Sequence, residues 1–185
     1  MSGQTPSQTV GPYFAYGLAA QQYHFPGVQV ADGTIASEGT AGRIRVLGNV
    51  YDGAGAPIRD ALIEVWQADA VGRYGAEGFK GFGRCGTGTH PDACFEFATI
   101  KPGRNGAAAP FITLLVFMRG LLSHVFTRAY FDDEAAANAA DPVLNQVPAE
   151  RRATLIACLQ KGEGLPTYRF DIRMQGERET VFFDV

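Results

Sequence analysis

Three soft metal-ligand side chains fall close together at Cys85-x4-His90-x3-Cys94. Thiolate and imidazole at such spacing would suit tetrahedral zinc. The spacing matches no common zinc module, and Asp92 reads as an ordinary hairpin turn between two strands. Two strand cysteines and a loop histidine are therefore the better account. His24 and His124 have no Cys or His neighbour to complete a site, and each reads as a surface or packed histidine. No G-x-S-x-G elbow offers a serine nucleophile. Gly72 and Gly75 flank Arg73-Tyr74 without phosphate-loop spacing. Asp132-Asp133-Glu134 has the residue types for acid–base work. Its place at a predicted helix start makes macrodipole stabilisation, about 0.3–1 kcal/mol, the better reading.

The elements that must position these residues are mostly strands. Arg43 to Val50 alternates apolar Ile44, Val46 and Val50 with Arg43, Arg45 and Asn49, the period of a half-buried strand. Asp52-Gly53, Gly55 and Pro57 form a turn. Ala61 to Gln67, Phe95 to Ile100 and His124 to Phe131 read as further strands, and Thr180 to Val185 closes the chain. Phe111 to Phe117 is short and almost wholly apolar, which fits a central strand covered on both faces. Tyr168 to Gln175 alternates most cleanly, with Tyr168, Phe170, Ile172 and Met174 on one face. Helix is predicted in one insert near 132–161. Glu134 to Ala140 is followed by a second helix opened by Pro148, with Ala153, Leu155, Ile156 and Leu159 as its stripe and Gly162 as its stop. Seven or more short strands with one helical insert predict an all-β sandwich over residues 41–185. Residues 1–40 read as an extended arm and loop, whose aromatics Tyr13, Phe14, Tyr16, Tyr23 and Phe25 suit docking.

At 185 residues the chain suits one domain. Its net charge of −3 and pI near 5.6 argue against nucleic acid, which selects for concentrated Lys and Arg. The 23 glycines and 10 prolines exceed the usual share of roughly 12% and are spread out, as many turns between short strands require. The start lacks the basic and apolar regions of a signal peptide, and the longest apolar run is too short to span a bilayer. With three cysteines, Cys85, Cys94 and Cys158, an odd number, reduced thiols in a cytoplasmic protein are expected.

Seven ordered segments resemble one family, the intradiol ring-cleaving catechol dioxygenases. They are Thr5-Pro-Ser-Gln-Thr-Val-Gly-Pro-Tyr13, Gly48-Asn-Val-Tyr-Asp52, Leu62-Ile-Glu-Val-Trp-Gln-Ala-Asp-Ala70, Gly72-Arg-Tyr74, Gly83-Arg-Cys85, Thr99-Ile-Lys-Pro-Gly103 and Tyr168-Arg-Phe-Asp-Ile172. The resemblance implies a β-sandwich and a mononuclear Fe(III) centre held by two tyrosines and two histidines. Phenolate is a hard donor suited to ferric iron. Tyr74 stands where the family's first ligand tyrosine stands. After Gly103 this chain runs Arg104-Asn105-Gly106 to Pro110 with no tyrosine, and the family's His-x-His positions fall on Phe111-Ile112-Thr113. Three of four ligands are missing, so Tyr74 is read as a vestigial ligand position.

That pattern resembles the family's heteromeric branch, in which an iron-free α chain pairs with a homologous iron-bearing β chain in a higher oligomer. Phe117-Met-Arg-Gly120, Thr127 to Ala135 and Gly176 to Asp184 extend the match. The resemblance implies that Fe(III) belongs to the β partner and that the α chain lines the mouth of the site. It assigns Gly11 and Pro12 to the wall of a cleft for a small aromatic substrate cleaved with O2, and Arg119 to its charged rim. Arginine suits a substrate carboxylate, and glycine lets a backbone approach a flat ring. Two other readings differ in class. A self-sufficient metalloenzyme would use Cys85, His90, Cys94 or Tyr74 and would co-purify with metal. A structural or carrier sandwich, suggested by the Gly48-x-Val50-x-Asp52 hairpin found in transthyretin-like modules, would not alter a partner's turnover.

Overall fold

Alternation built into the strands closes them around one core. The computed structural model of the chain describes Gly11 and residues 14–184. Its strands are β1 (Arg43–Tyr51), β2 (Leu62–Gln67), β3 (Phe82–Gly86), β4 (Cys94–Ile100), β5 (Phe111–Phe117), β6 (Val125–Phe131), β7 (Ile156–Gln160), β8 (Thr167–Arg169) and β9 (Ile172–Arg173). They hydrogen-bond in the order β3-β2-β5-β6-β7-β8-β1-β4, with β9 also beside β1. One half, β3-β2-β5-β6, is antiparallel. The other centres on β1, which runs antiparallel to β4 and parallel to β8 and β9. Val46, Phe95, Phe97 and Phe170 from the second half meet Ile63, Val65, Ile112, Leu114 and Phe131 from the first in one buried cluster. The expected all-β sandwich is the architecture found. No helix among the described residues is long and apolar enough to cross a membrane.

The joint between the halves corrects the predicted second helix. Residues Ala149–Leu155 form a 3-10 helix, and Ile156–Gln160 is strand β7. Its first two residues pair parallel with Tyr130 and Phe131 of β6, and its last three pair antiparallel with β8. Leu155 and Ala157 are fully buried with Ile156 only partly so between them, and Leu159 is 42% exposed, so the predicted helical stripe does not exist. Long-range ladder bonds have overridden local helix propensity. The first helix is also shorter than expected: a 3-10 turn (Asp132–Glu134) precedes α2 (Ala135–Ala140).

The acidic run at that turn caps nothing with a side-chain hydrogen bond. Asp132 accepts the Leu159 N–H at 3.0–3.1 Å. Asp133 and Glu134 both pair with Lys101, at 2.8 and 2.7 Å, and Asp133 accepts the Tyr168 hydroxyl at 2.9 Å. Burial opposes charge on Asp133, but hydrogen bonds from Lys101 and Tyr168 outweigh it and hold the carboxyl below its usual range. Burial likewise opposes charge on Lys101, and the two carboxylates more than restore it. The run stands in the first turn of the helical segment as read from sequence, and its side chains tie the insert to β7, to β8 and to Lys101 just after β4.

Two further departures concern coverage. Strand β5 is central, yet only Ile112, Leu114 and Val116 are buried. Its other face is half-covered, by α1 (Phe14–Leu18) at one end and by Arg128 and Phe183 at the other. The predicted extended arm is helical over α1 and a 3-10 turn, Ala20–Tyr23. Phe14, Leu18 and Tyr23 pack with Ala15, Ala19, Leu62 and Phe117. The segment at 168–175 keeps Tyr168, Phe170 and Ile172 buried together as read, but its ladder breaks where the Asp171 carboxylate accepts the Asn49 N–H at 3.0 Å. Near the C-terminus a single bridge, Phe126 to Phe183, stands in for a full strand.

Candidate functional site

The three positions that the resemblance assigns to former ligands, Tyr74, Phe111 and Thr113, lie at one end of the outer β2-β5-β6 face. Tyr74 sits in the loop after β2. There the Asp69 carboxylate accepts the N–H groups of Val71 at 3.0 Å and Arg73 at 2.8 Å and pairs with the Arg73 guanidinium. These bonds, led by the Arg73 N–H, hold the Asp69 carboxyl below its usual range. Gly72 has φ +86°, and a Cβ there would collide with the Arg104 carbonyl, so this turn demands glycine. The loop delivers the Tyr74 ring onto Trp66, 5.9 Å away and nearly parallel. Trp66 in turn is registered opposite Thr113, so Tyr74, Phe111 and Thr113 come to one neighbourhood.

A cation already occupies that neighbourhood. Arg128 is paired opposite Thr113, and its guanidinium carbon lies 4.3 Å from the Phe111 ring centroid and 5.7 Å from that of Phe183. It donates to the Tyr130 hydroxyl at 3.4 Å. Tyr130 donates onward to Asp141 at 3.2 Å, and the Asp141 carboxylate also accepts the Ala109, Val143 and Leu144 N–H groups at 2.7–2.9 Å. Burial raises the Tyr74 phenol above its usual pKa, with Arg128 pulling the other way. One neutral phenol, one phenyl ring, one threonine hydroxyl and a guanidinium do not fit a ferric ion, which needs several anionic or imidazole donors.

Arg119 and Gly11 lie at the opposite end of the same face. Phe111 and Phe117 are six residues apart along β5, about 20 Å at roughly 3.4 Å per residue, and Arg119 follows Phe117 in the Met118–Leu121 turn. Its side chain is two-thirds exposed, and the guanidinium pairs with Asp60 at 2.8 Å. Gly11 accepts the Phe14 N–H at 3.1 Å, and the Phe14 ring packs 5.6 Å from that of Phe117. That chain of contacts brings Gly11 towards the Arg119 end. An added Cβ on exposed Gly11 would meet nothing within 4 Å. Pro12 lies outside the described residues. His124 is a surface histidine, its exposed ring 5.2 Å from that of Phe117 and 4.8 Å from that of Phe126.

The cysteine motif makes no site. Cys85 and Cys94 are buried strand residues, and burial pushes the Cys85 thiol up to about 11. The His90 Nδ1 accepts the Asp92 N–H at 3.1 Å, an ordinary turn contact. No three His, Cys, Asp or Glu side chains converge to hold a metal among the described residues. Sequence reading missed Arg128, Asp60 and Trp66. Hairpin arithmetic could have found them, since Arg128 pairs with Thr113 once the β5–β6 turn is placed.

Comparison with known proteins shows the family. A family model described as "Dioxygenase" matches residues 10–176. The protocatechuate 3,4-dioxygenase alpha chain of Burkholderia cepacia is 55% identical over 98% of this chain and 98% of that one. A protocatechuate 3,4-dioxygenase beta chain, also from Burkholderia cepacia, is 33% identical and covers 75% of this chain and 66% of its own length. Among solved structures, the dioxygenase domain of a dioxygenase carbohydrate-binding protein fusion from Streptomyces sp. SirexAA-E aligns with TM-score 0.61 at 22% identity, over 84% of this chain and 94% of that one. That last likeness concerns fold alone.

Proposed function

The chain belongs to the intradiol ring-cleaving dioxygenase family, and we propose that it is the iron-free α subunit of a protocatechuate 3,4-dioxygenase. One observation carries this reading. Arg119 lies about 20 Å along β5 from its own chain's ligand positions, where Arg128 lies against Phe111. A substrate-facing arginine so placed serves a centre on another chain, and the homologous β chain is the natural holder of that Fe(III). Held by that partner, ferric iron would activate protocatechuate towards O2, both of whose atoms enter at the ring bond between the two hydroxyl-bearing carbons to give 3-carboxy-cis,cis-muconate. The α chain contributes orientation. Arg119 presents guanidinium donors to the benzoate carboxylate, and Gly11 and Pro12 form a thin wall that the flat ring can approach. In the assembled αβ enzyme, residues 1–40 also reach the partner. The setting is cytoplasmic.

Arg119→Ala in the co-purified enzyme tests the reading. Losing a charge-assisted bond of about 1.5–3 kcal/mol raises the KM for protocatechuate roughly 10- to 100-fold, with iron content unchanged. Wild-type Michaelis kinetics in that variant would defeat the assignment.

A further inference from the structure

The carboxylate of Asp60 is an unusual feature of the loop that leads into β2. Both of its oxygens are shielded from solvent, and neither accepts a hydrogen bond. Its contact among the described residues is the 2.8 Å ion pair with Arg119 Nε, which touches without hydrogen-bond alignment. A buried charge with one partner is costly to keep, so its position calls for a reason. The register supplies the geometry. Leu62 pairs with Phe117 in the antiparallel β2–β5 ladder, and extending that pairing by two residues sets Asp60 opposite Arg119. The platform beneath is fixed. The Ala61 N–H donates to Thr87 Oγ1 at 3.2 Å, that hydroxyl donates to the Ile58 carbonyl at 2.7 Å, and the Arg59 guanidinium is drawn to the Pro91 carbonyl at 3.2 Å.

We propose that Asp60 is a positioning residue, whose buried carboxylate holds the Nε side of Arg119 so that the terminal guanidinium nitrogens face an aromatic carboxylate. This rests on the assignment of Arg119 to the substrate cleft. The Arg119 side chain is two-thirds exposed and, left alone on a four-bond stem, would sample many rotamers. A rigid anion at Nε leaves the outer pair of N–H groups free for a bidentate partner. The binding advantage comes from ordering the arginine before the ligand arrives.

The test uses the co-purified enzyme with Asp60→Asn, assayed on protocatechuate and on catechol, which lacks the carboxylate. KM for protocatechuate is expected to rise about five-fold and kcat to change less, while KM for catechol stays put. In an Arg119→Ala background the same change adds nothing further. An unchanged KM in Asp60→Asn, alongside a raised KM in Arg119→Ala, overturns the Asp60 role and leaves the Arg119 reading standing. A lowered KM also overturns it, because Asp60 would then be competing with the substrate. No effect of Arg119→Ala defeats both. Should Asp60→Asn fail to assemble, Asp60→Glu decides, since its longer arm displaces the guanidinium. A KM raised for protocatechuate alone supports the proposal, and equal effects on both substrates overturn it.

Discussion

Replacing Lys101 with Met keeps the aliphatic stem and removes the cation at the centre of the insert's anchor. The ammonium contacts Asp133 and Glu134 at 2.8 and 2.7 Å and lies 5.3 and 5.8 Å from the Phe131 and Tyr168 ring centroids. The two carboxylates are roughly a third or more exposed, so each pair contributes about 0.2–1 kcal/mol, and the ring contacts add about 0.5–1 kcal/mol each. The sum is about 2 kcal/mol, or a fall in Tm of about 4–8 °C for a domain of this size. The folded Asp133 pKa lies below its ordinary 3.8. Its contribution is therefore full above that value and lost as pH falls through the folded pKa. The folded Lys101 pKa lies above 10.5, so its contribution is full below that value and lost as pH rises through the folded one. Thermal unfolding of wild type and Lys101→Met across pH should show the gap widest near neutrality and closing at both ends. A gap as large at about pH 2 as at pH 7, or none at all, would refute the reasoning.

Asp141→Ala removes a fully buried acceptor of three backbone N–H groups and the Tyr130 hydroxyl, and should cost about 4 kcal/mol in denaturant titrations. A cost under about 1 kcal/mol would contradict that network. With Cys85 and Cys94 buried and Cys158 exposed, a thiol reagent at mild alkaline pH should titrate Cys158 promptly and the other two only after unfolding. Prompt reaction of all three would show the core to be open. Gly11→Val should leave the chain's own stability unchanged, since nothing lies within 4 Å of the added Cβ, yet depress turnover of the assembled enzyme. Equal turnover would remove Gly11 from the cleft wall.

Much of the sandwich was legible because alternation survives into burial. Ile44, Val46 and Val50 of β1 and Tyr168, Phe170 and Ile172 are buried as their period requires. What stayed hidden depends on partners distant in sequence. Nothing local in Ala153 to Leu159 distinguishes a helix stripe from a strand, and the ladder to Tyr130 and to β8 decides it. The acidic run could be placed at a helix start, but its partner Lys101 lies more than thirty residues earlier. The site divides in the same way. Tyr74, Phe111 and Thr113 could be singled out by motif, whereas Arg128 over Phe111 and Asp60 beside Arg119 appear only when strand register is known.

The central claim is that this chain shapes a site whose iron a partner holds. The most direct measurement is iron per chain, with the visible ferric–tyrosinate absorption, for this chain alone and co-purified with its β partner. The account predicts a colourless, iron-free chain alone and a coloured complex that cleaves protocatechuate. Iron and activity in the chain by itself would contradict it.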